Sequence, residues 1–187
     1  VPVVNTFSGC PGGSPEDKTP NWVTCPWPDD FSEILEYQWN DVLIPYWKEK
    51  VAFAKAHNVH KIALELHPGF CVYNTRSLLK LREAVGPEIG ANLDPSHLIW
   101  QGMDLIAVIR ELGKANAIFH FHAKDTKVDA INTAVNGVLD TQHYSEELTR
   151  SWIFRSVGYG HGEDYWKAIA SVLQVMTMRS ASSMKTA

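Results

Sequence analysis

Four short apolar runs punctuate the chain and are typical of strands. They are VPVVNTFS (1–8), KIALEL (61–66), IGANLD (89–94) and AIFHFHAKD (117–125). Between and after them, apolar residues recur at helical spacing. This spacing predicts helices over residues 33–57, 76–85, 104–112 and 163–174, with Thr75 capping the second. The order of strand, loop and helix is typical of βα units around a parallel sheet.

The last of the four strands carries an unusual face. Side chains alternate along a strand, so His120, His122 and Lys124 point one way while Phe119 and Phe121 point the other. A plain core strand would turn apolar residues inward. We infer that the histidine face contacts polar groups and not an apolar core.

Three strands end in polar residues at nearly equal steps. Glu65, Asp94 and His122 lie 29 and 28 positions apart (94 − 65 and 122 − 94). The carboxyl ends of parallel strands meet at one edge, which is the catalytic face of a (β/α) barrel. A doubly wound sheet also binds ligands there, but the chain has neither GxGxxG nor a phosphate loop.

The predicted fold is α/β, a partial (β/α)8 barrel. A whole barrel of this type takes about 250 residues, whereas this chain has 187 residues and four predicted strands. We therefore expect one partial barrel over residues 1–174 and a separate tail over residues 175–187. The stretch 126–162 is polar, shows little periodicity and predicts no regular elements.

The polar strand ends suit a divalent cation. Carboxylate oxygens and imidazole nitrogens bind Mn²⁺, Mg²⁺, Co²⁺ or Zn²⁺. Such an ion acts as a Lewis acid, and a carboxylate beside it can move a proton to or from carbon. Taken singly, a strand-end acid can instead cap the next helix, and an inward histidine can be a hydrogen-bonded core residue. Matched spacing of Glu65, Asp94 and His122 favours a shared metal site.

The amino-acid composition excludes some classes of binding partner. With 45% hydrophobic residues and a net charge of −4, the chain offers no basic footprint for nucleic acid. No apolar run reaches the roughly 20 residues that span a bilayer. Cys10, Cys25 and Cys71 fit neither a disulfide framework nor a CxxC metal site, so we expect free thiols and a cytoplasmic location.

Five motifs together resemble the sugar phosphate isomerase/epimerase family, the xylose-isomerase-like barrels. They are NTFSGCPGG, ALELHPG, NLDPSHLIWQGMD, HFHAKD and FRSVGYGHG, in family order from Val1 to Leu173. The resemblance implies barrel strands four to seven, one divalent metal (Mn²⁺ first) and proton transfer between neighbouring sugar carbons. It implies Glu65, Asp94 and His122 as metal ligands, with Glu65 also a base.

Further residues are expected near the substrate. By resemblance, His97 touches the sugar. From position alone, His67, Lys124, Arg155 and His161 are candidates for the mouth of the site. Two alternatives stay open, namely that Lys124 pairs with Asp125 and that Arg155 forms a surface salt bridge. His120 is expected one layer deeper, supporting the site through a hydrogen bond.

The tail departs from the family. The family takes a fourth ligand, a glutamate, from strand eight, but VMTMRSASSMKTA contains no acidic residue. Read one base out of frame, Met176-Thr177 encodes Asp, Met184-Lys185 encodes Glu, and the segment can read Leu-Ser-Ile-Glu-His-Glu-Asp. That resembles the family's strand eight, so we hypothesise a one-base frameshift. A naturally divergent terminus is the alternative.

The leading function is a metal-dependent isomerase or epimerase of a sugar or sugar phosphate. An inosose-dehydratase-like lyase would use the same metal and bases. A phosphoesterase would need more zinc-binding histidines and more positive charge, and a catalytically incompetent fragment is also open. CPGGSPED lacks a P-loop lysine, which favours a neutral sugar or a cyclitol. The resemblance leaves a homodimer open.

Overall fold

The computed structural model describes residues 1–183, with side chains up to Met176. These residues form two compact units. The first unit comprises residues 1–93 with 117–120, and the second comprises residues 94–116 with those from 121 onward.

A four-stranded sheet confirms the four predicted strands. It contains β1 (Val4–Thr6), β2 (Ile62–Glu65), β3 (Ile89–Leu93) and β4 (Ile118–Phe121), in that order across the sheet. β1 pairs with β2 and β2 with β3 in parallel. The register sets Glu65 opposite Asn92, so the carboxyl ends of β2 and β3 lie at one edge.

The sheet interior of the first unit is almost completely buried. Leu64 in β2 and Ile89, Ala91 and Leu93 in β3 are all 0% exposed, as expected for parallel strands covered on both faces. Gly90 lies against the ring of Phe119, since an added Cβ would meet that ring at 2.4 Å. Packing at this point depends on the absence of a side chain.

The predicted helix over residues 33–57 is a continuous helical segment in three parts. It consists of α1 (Asp30–Glu36), a π-helical stretch (Tyr37–Leu43) and α2 (Ile44–Ala56). Gln38, buried in the π-helical stretch, donates to the carbonyls of Pro11 (2.9 Å) and Asn21 (2.7 Å). One amide thus anchors the long loop that follows β1.

Helix α3 (Thr75–Val85) begins one residue earlier than predicted. Asn74, not Thr75, is the capping residue, so that assignment was wrong. Asn74 has an extended backbone and accepts from the Ser77 amide at 2.9 Å, while the Ser77 hydroxyl accepts from the Asn74 amide at 3.1 Å. This reciprocal capping box fixes the start of the helix.

The second unit contains four helices and a two-stranded sheet. They are α4 (Pro95–Ile99), α5 (Leu105–Lys114), β5 (Asp125–Val128), α6 (Ala130–Asn136), β6 (Trp152–Arg155) and α7 (Glu163–Ser183). The expectation of no regular elements over residues 126–162 was wrong. β5 and β6 pair antiparallel from Asp125↔Arg155 to Val128↔Trp152. The two strands are separated by 23 residues (129–151), and such non-local pairing produces little periodicity in the sequence.

Helix α5 packs against α7 to form the core of the second unit. Ile109 and Leu112 of α5 are 0% exposed and Ile169 of α7 is 1% exposed. Beside this core, the ring of Trp100 stacks on that of Trp152 with centroids 4.5 Å apart and planes 4° from parallel. Within residues 1–183, no helix is both long and apolar enough to cross a membrane.

Helix α7 continues to Ser183, whereas the sequence predicted its end at Gln174. The stretch 175–183 of the predicted tail is therefore helical. Residues 184–187 of that tail lie outside the described residues.

Candidate metal centre

In the first unit, a chain of hydrogen bonds fixes Glu65 at the end of β2. The Asn92 side-chain amide donates to Glu65 Oε2 at 2.8 Å. Asn92 Oδ1 in turn lies 2.7 Å from Nδ1 of His120, and because the oxygen can only accept, the imidazole is the donor. Cross-strand register, Glu65 opposite Asn92, makes the first bond possible.

His120 is exposed, so the expectation that it lies one layer deeper was wrong. It sits on β4, the last strand in the sheet order, where an outer neighbour is missing among the described residues. His120 is hydrogen-bonded to Asn92, and Asn92 is in turn hydrogen-bonded to Glu65.

In the second unit, Asp94 occupies the start of α4. Its Oδ1 accepts from the Ser96 amide at 2.9 Å, which caps the helix. The side chain is fully buried, and over residues 1–183 Oδ2 has no hydrogen-bond partner. Leaving a buried charged acceptor unsatisfied costs about 1–3 kcal/mol or more. The capping alternative therefore accounts for one oxygen of Asp94 only.

Three basic side chains surround this oxygen. His97 Nε2 lies 3.3 Å from Asp94 Oδ2, His122 Nδ1 lies 3.4 Å away, and Lys124 Nζ lies 3.7 Å away. These are ion-pair distances without hydrogen-bond geometry. His97 is buried, whereas the His122 side chain is 48% exposed. A buried carboxylate oxygen with two imidazole nitrogens within 3.4 Å is an environment that a divalent cation can join.

Two of the predicted ligands lie together in the second unit, where His122 Nδ1 is 3.4 Å from Asp94 Oδ2. The third, Glu65, ends β2 in the first unit. Two carboxylate oxygens and an imidazole nitrogen suit a divalent metal of the Mn²⁺, Mg²⁺, Co²⁺ or Zn²⁺ class. The residues present therefore fit a metal ion, and the unsatisfied Asp94 Oδ2 is the observation that favours one.

Lys124 contacts an aromatic ring beside the same carboxylate. Its ammonium lies 3.7 Å from the centroid of the Phe154 ring, and the His97 ring meets Phe154 edge-on at 5.2 Å. Lys124 is thus directed to Asp94. The alternative pairing with Asp125 was wrong, because other groups occupy that carboxylate.

Asp125 organises the loop between β6 and α7, a role that sequence reasoning missed. Its carboxylate is fully buried and accepts from the amides of Gly160 (3.0 Å) and His161 (2.9 Å) and from the indole of Trp166 (3.1 Å). Burial alone would raise the pKa of Asp125, but the hydrogen bonds from the ring and backbone of His161, from Trp166 and from Gly160 lower it below its usual range.

The other expected mouth residues already have protein partners. Arg155 forms a two-pronged ion pair with Glu147, at 2.9 and 3.4 Å, so the structure shows the salt-bridge alternative. The His161 imidazole lies 2.9 Å from Asp125. His67 Nδ1 donates to the Pro68 carbonyl at 2.5 Å.

Sequence comparison identifies the family. The sequence pattern of the family described as "Xylose isomerase-like TIM barrel" matches residues 3–185 of the chain. This chain belongs to that family. The family and the fold predicted from the sequence are thereby confirmed.

Two further comparisons show how much of a longer protein the chain matches. The uncharacterized protein YfiH of Bacillus subtilis (strain 168) is 46% identical over 187 residues, which cover 99% of this chain and 59% of that protein. A crystal structure of mannonate dehydratase from Streptococcus suis serotype 2 superposes with a TM-score of 0.52 at 14% identity, over 95% of this chain and 55% of the other. The second likeness shows a shared fold. The chain thus spans little more than half the length of either.

Asn92 and Asp125 are buried hydrogen-bonding positions that the pattern of strand ends did not single out. Both lie inside motifs that carried the family resemblance, NLD and HAKD. A polar residue in a strand that is otherwise fully buried is the signal that would have found Asn92, because such a group needs a partner.

Proposed function

We propose that this chain carries the metal-binding and proton-transfer site of an isomerase or epimerase acting on a sugar. The carrying observation is Asp94 Oδ2, buried without a hydrogen-bond partner in the part of the chain that the structure describes. The His122 imidazole, 3.4 Å from that oxygen, and the Glu65 carboxylate at the end of β2 support the same conclusion.

Each residue receives a role in this proposal. Glu65, Asp94 and His122 would hold the ion, Mn²⁺ being our first choice. When bound, it supplies Lewis acidity to adjacent oxygens of the substrate. The Glu65 carboxylate takes the proton from one carbon, exchanges it with solvent, and delivers a proton to the neighbouring carbon, while Asn92 and, behind it, His120 keep that carboxylate oriented.

Two further groups would contact the substrate. His97 packs against Phe154 and Lys124 lies over the same ring. Both can donate hydrogen bonds to sugar hydroxyl groups. We leave Arg155 and His161 out of this set because Glu147 and Asp125 engage them, and His67 stays a candidate.

A neutral sugar or cyclitol suits the first unit better than a phosphorylated one. In the glycine-rich loop, the amide of Gly13 donates to Asp17 Oδ2 at 2.6 Å. An acid of the loop itself thus takes the backbone donor that a phosphate would use, and its charge repels an anion. We also propose a cytoplasmic location, which follows from the free cysteines, and a homodimer, which follows from the family resemblance.

A dehydratase is the second candidate. Lys124 and His97 stand beside Asp94 and could protonate a departing hydroxyl group. The solved structure with the same fold is, by its title, a mannonate dehydratase. Elimination would begin with the same proton removal by Glu65.

Turnover in deuterated water with added Mn²⁺ separates the candidates. Incubation with aldoses, ketoses and cyclitols should give a product of unchanged formula carrying solvent deuterium. A product that has lost water would favour the dehydratase. Activity that survives in Asp94→Asn and Glu65→Gln, with Mn²⁺ affinity unchanged, would reject the proposed site.

We make a separate proposal for the residues after Gln174. We propose that residues 1–174 carry the barrel portion and that a frameshifted segment has replaced a strand bearing a fourth ligand, a glutamate. Mn²⁺ titration should show tighter binding when the out-of-frame residues replace Arg179–Thr186. Equal affinity of the two versions would contradict the frameshift hypothesis.

A further inference from the structure

The loops that follow β1 and β2 are held together beside two cysteines. The amide of Cys71 donates to the Gly9 carbonyl at 3.0 Å, and the amide of Val72 donates to the Ser8 hydroxyl at 3.0 Å. Cys10 is the next residue along the first loop. Its thiol donates to the Pro11 carbonyl at 3.8 Å, and it lies beside Cys71 because the preceding residue, Gly9, accepts from the Cys71 amide. Neither cysteine is in a disulfide.

The two thiols differ in access. Cys71 is 6% exposed, whereas Cys10 is half-buried and open to small reagents. The hydrogen bond from Cys71 lowers the pKa of Cys10, with a backbone contact to Asn21 adding to the effect against burial. The same bond and burial raise the pKa of Cys71. A partly exposed, acidified thiol beside a second thiol is the arrangement of redox-sensing cysteines.

We propose that Cys10 and Cys71 form a peroxide-sensitive dithiol, in which Cys10 is the reacting thiol and Cys71 the resolving one. Metal binding and sugar turnover play no part in this inference. The disulfide would tie the loop after β1 to the loop after β2, next to the strand end that carries Glu65.

The chemistry needs a hydroperoxide as oxidant. The Cys10 thiolate attacks one peroxide oxygen, the O–O bond breaks, and Cys10 becomes a sulfenic acid while hydroxide leaves and takes a proton. Cys71 then gives up its proton and attacks the sulfenic sulfur, the S–O bond breaks, and water leaves. Two thiols and one hydrogen peroxide thus give one disulfide and two water molecules. A dithiol reductant reverses the reaction by two exchange steps.

Cys25 provides a matched control within the same unit. It is exposed and donates to the Trp27 carbonyl at 3.1 Å. Because a thiol is not its partner, it should react slowly with peroxide and should form no disulfide within the chain.

Thiol titration after treatment of the full chain with hydrogen peroxide tests the proposal. The three free thiols should fall to one, with Cys10 and Cys71 found in one cross-linked peptide, and dithiothreitol should restore all three. Cys25→Ser should still form the cross-link, whereas Cys10→Ser and Cys71→Ser should not. Retained cross-linking in either of those two variants, or loss of it in Cys25→Ser, would overturn the assignment.

Alkylation rates test the division of roles without requiring oxidation. At neutral pH, iodoacetamide should modify Cys10 faster than Cys25, because the neighbouring Cys71 thiol lowers the pKa of Cys10 and so favours its thiolate. Cys71→Ala removes the hydrogen-bond donor and should slow Cys10, while Cys71→Ser keeps a hydroxyl donor and should slow it less. Equal rates for Cys10 and Cys25 in the folded wild-type chain would contradict the proposal.

Discussion

The side-chain amide of Asn92 donates a 2.8 Å hydrogen bond to Glu65 Oε2, across the paired strands β2 and β3. The same residue accepts from His120 through its other side-chain atom. An amide so placed has one orientation only, since its nitrogen must face the carboxylate. Glu65 is thereby held in one orientation, as its proposed role as ligand and base requires.

His122 and His120 should differ in their effect on metal affinity. We expect His122→Ala to weaken Mn²⁺ binding by about 100-fold or more, because it removes a ligand, and His120→Ala by about tenfold or less, because it acts through Asn92. Titration calorimetry with Mn²⁺ measures both. If the two variants bind Mn²⁺ as tightly as the wild type, the assignment of His122 fails.

Removal of the Lys124 charge should strengthen Mn²⁺ binding. The ammonium lies 3.7 Å from Asp94 Oδ2 and would repel a cation placed there. Lys124→Met should tighten Mn²⁺ binding by up to about tenfold at low salt. Lys127→Met, an exposed change of the same kind three residues later, is the control. Weaker binding in Lys124→Met would show that the lysine mainly positions Asp94.

Asp125→Asn should destabilise the chain markedly. The carboxylate accepts from the Gly160, His161 and Trp166 groups named above, and the amide cannot accept from all of them. We expect a loss of about 2–4 kcal/mol in the free energy of unfolding. Denaturant unfolding followed by circular dichroism measures it, with the exposed Asp41→Asn as control. Equal stability of the two variants would contradict this role.

The same contribution should vanish in acid. The folded-state pKa of Asp125 lies below the ordinary value of 3.8, so its stabilisation is fully present above that value and is lost as the pH falls through the folded-state pKa. The stability difference between wild type and Asp125→Asn should therefore shrink below about pH 4. A difference that stays constant down to full acid unfolding would argue against an ionised Asp125.

Gly90→Ala should be far more harmful than Gly162→Ala. A methyl group at Gly90 would meet the Phe119 ring at 2.4 Å, whereas nothing lies within 4 Å of the corresponding atom at Gly162. Overpacking of this kind costs about 1–3 kcal/mol. Thermal unfolding compares the two, and Phe119→Leu should restore part of the loss in Gly90→Ala. Similar melting temperatures for both alanine variants would show that β3 and Phe119 adjust freely.

Local pattern predicted the features that depend on neighbours in sequence. The apolar runs that contain Ile62 and Ile89 predicted buried strands. The polar residues that end these strands predicted the position of the candidate metal site. The pairing of β5 with β6 is different, because Asp125 meets Arg155 only through the folded chain. The bond from Asn92 to Glu65 likewise depends on strand register, which composition and periodicity do not contain. His120 was misjudged because burial depends on which strands flank β4.

The stacked indoles of Trp100 and Trp152 give the second unit an optical signature of its own. Two parallel chromophores in van der Waals contact share their excited states, and the chirality of their surroundings turns that coupling into a paired circular-dichroism band. The band vanishes when the rings separate. Folding of the second unit can therefore be followed by spectroscopy without any label, while the chain's five other tryptophans (7 − 2) contribute only background.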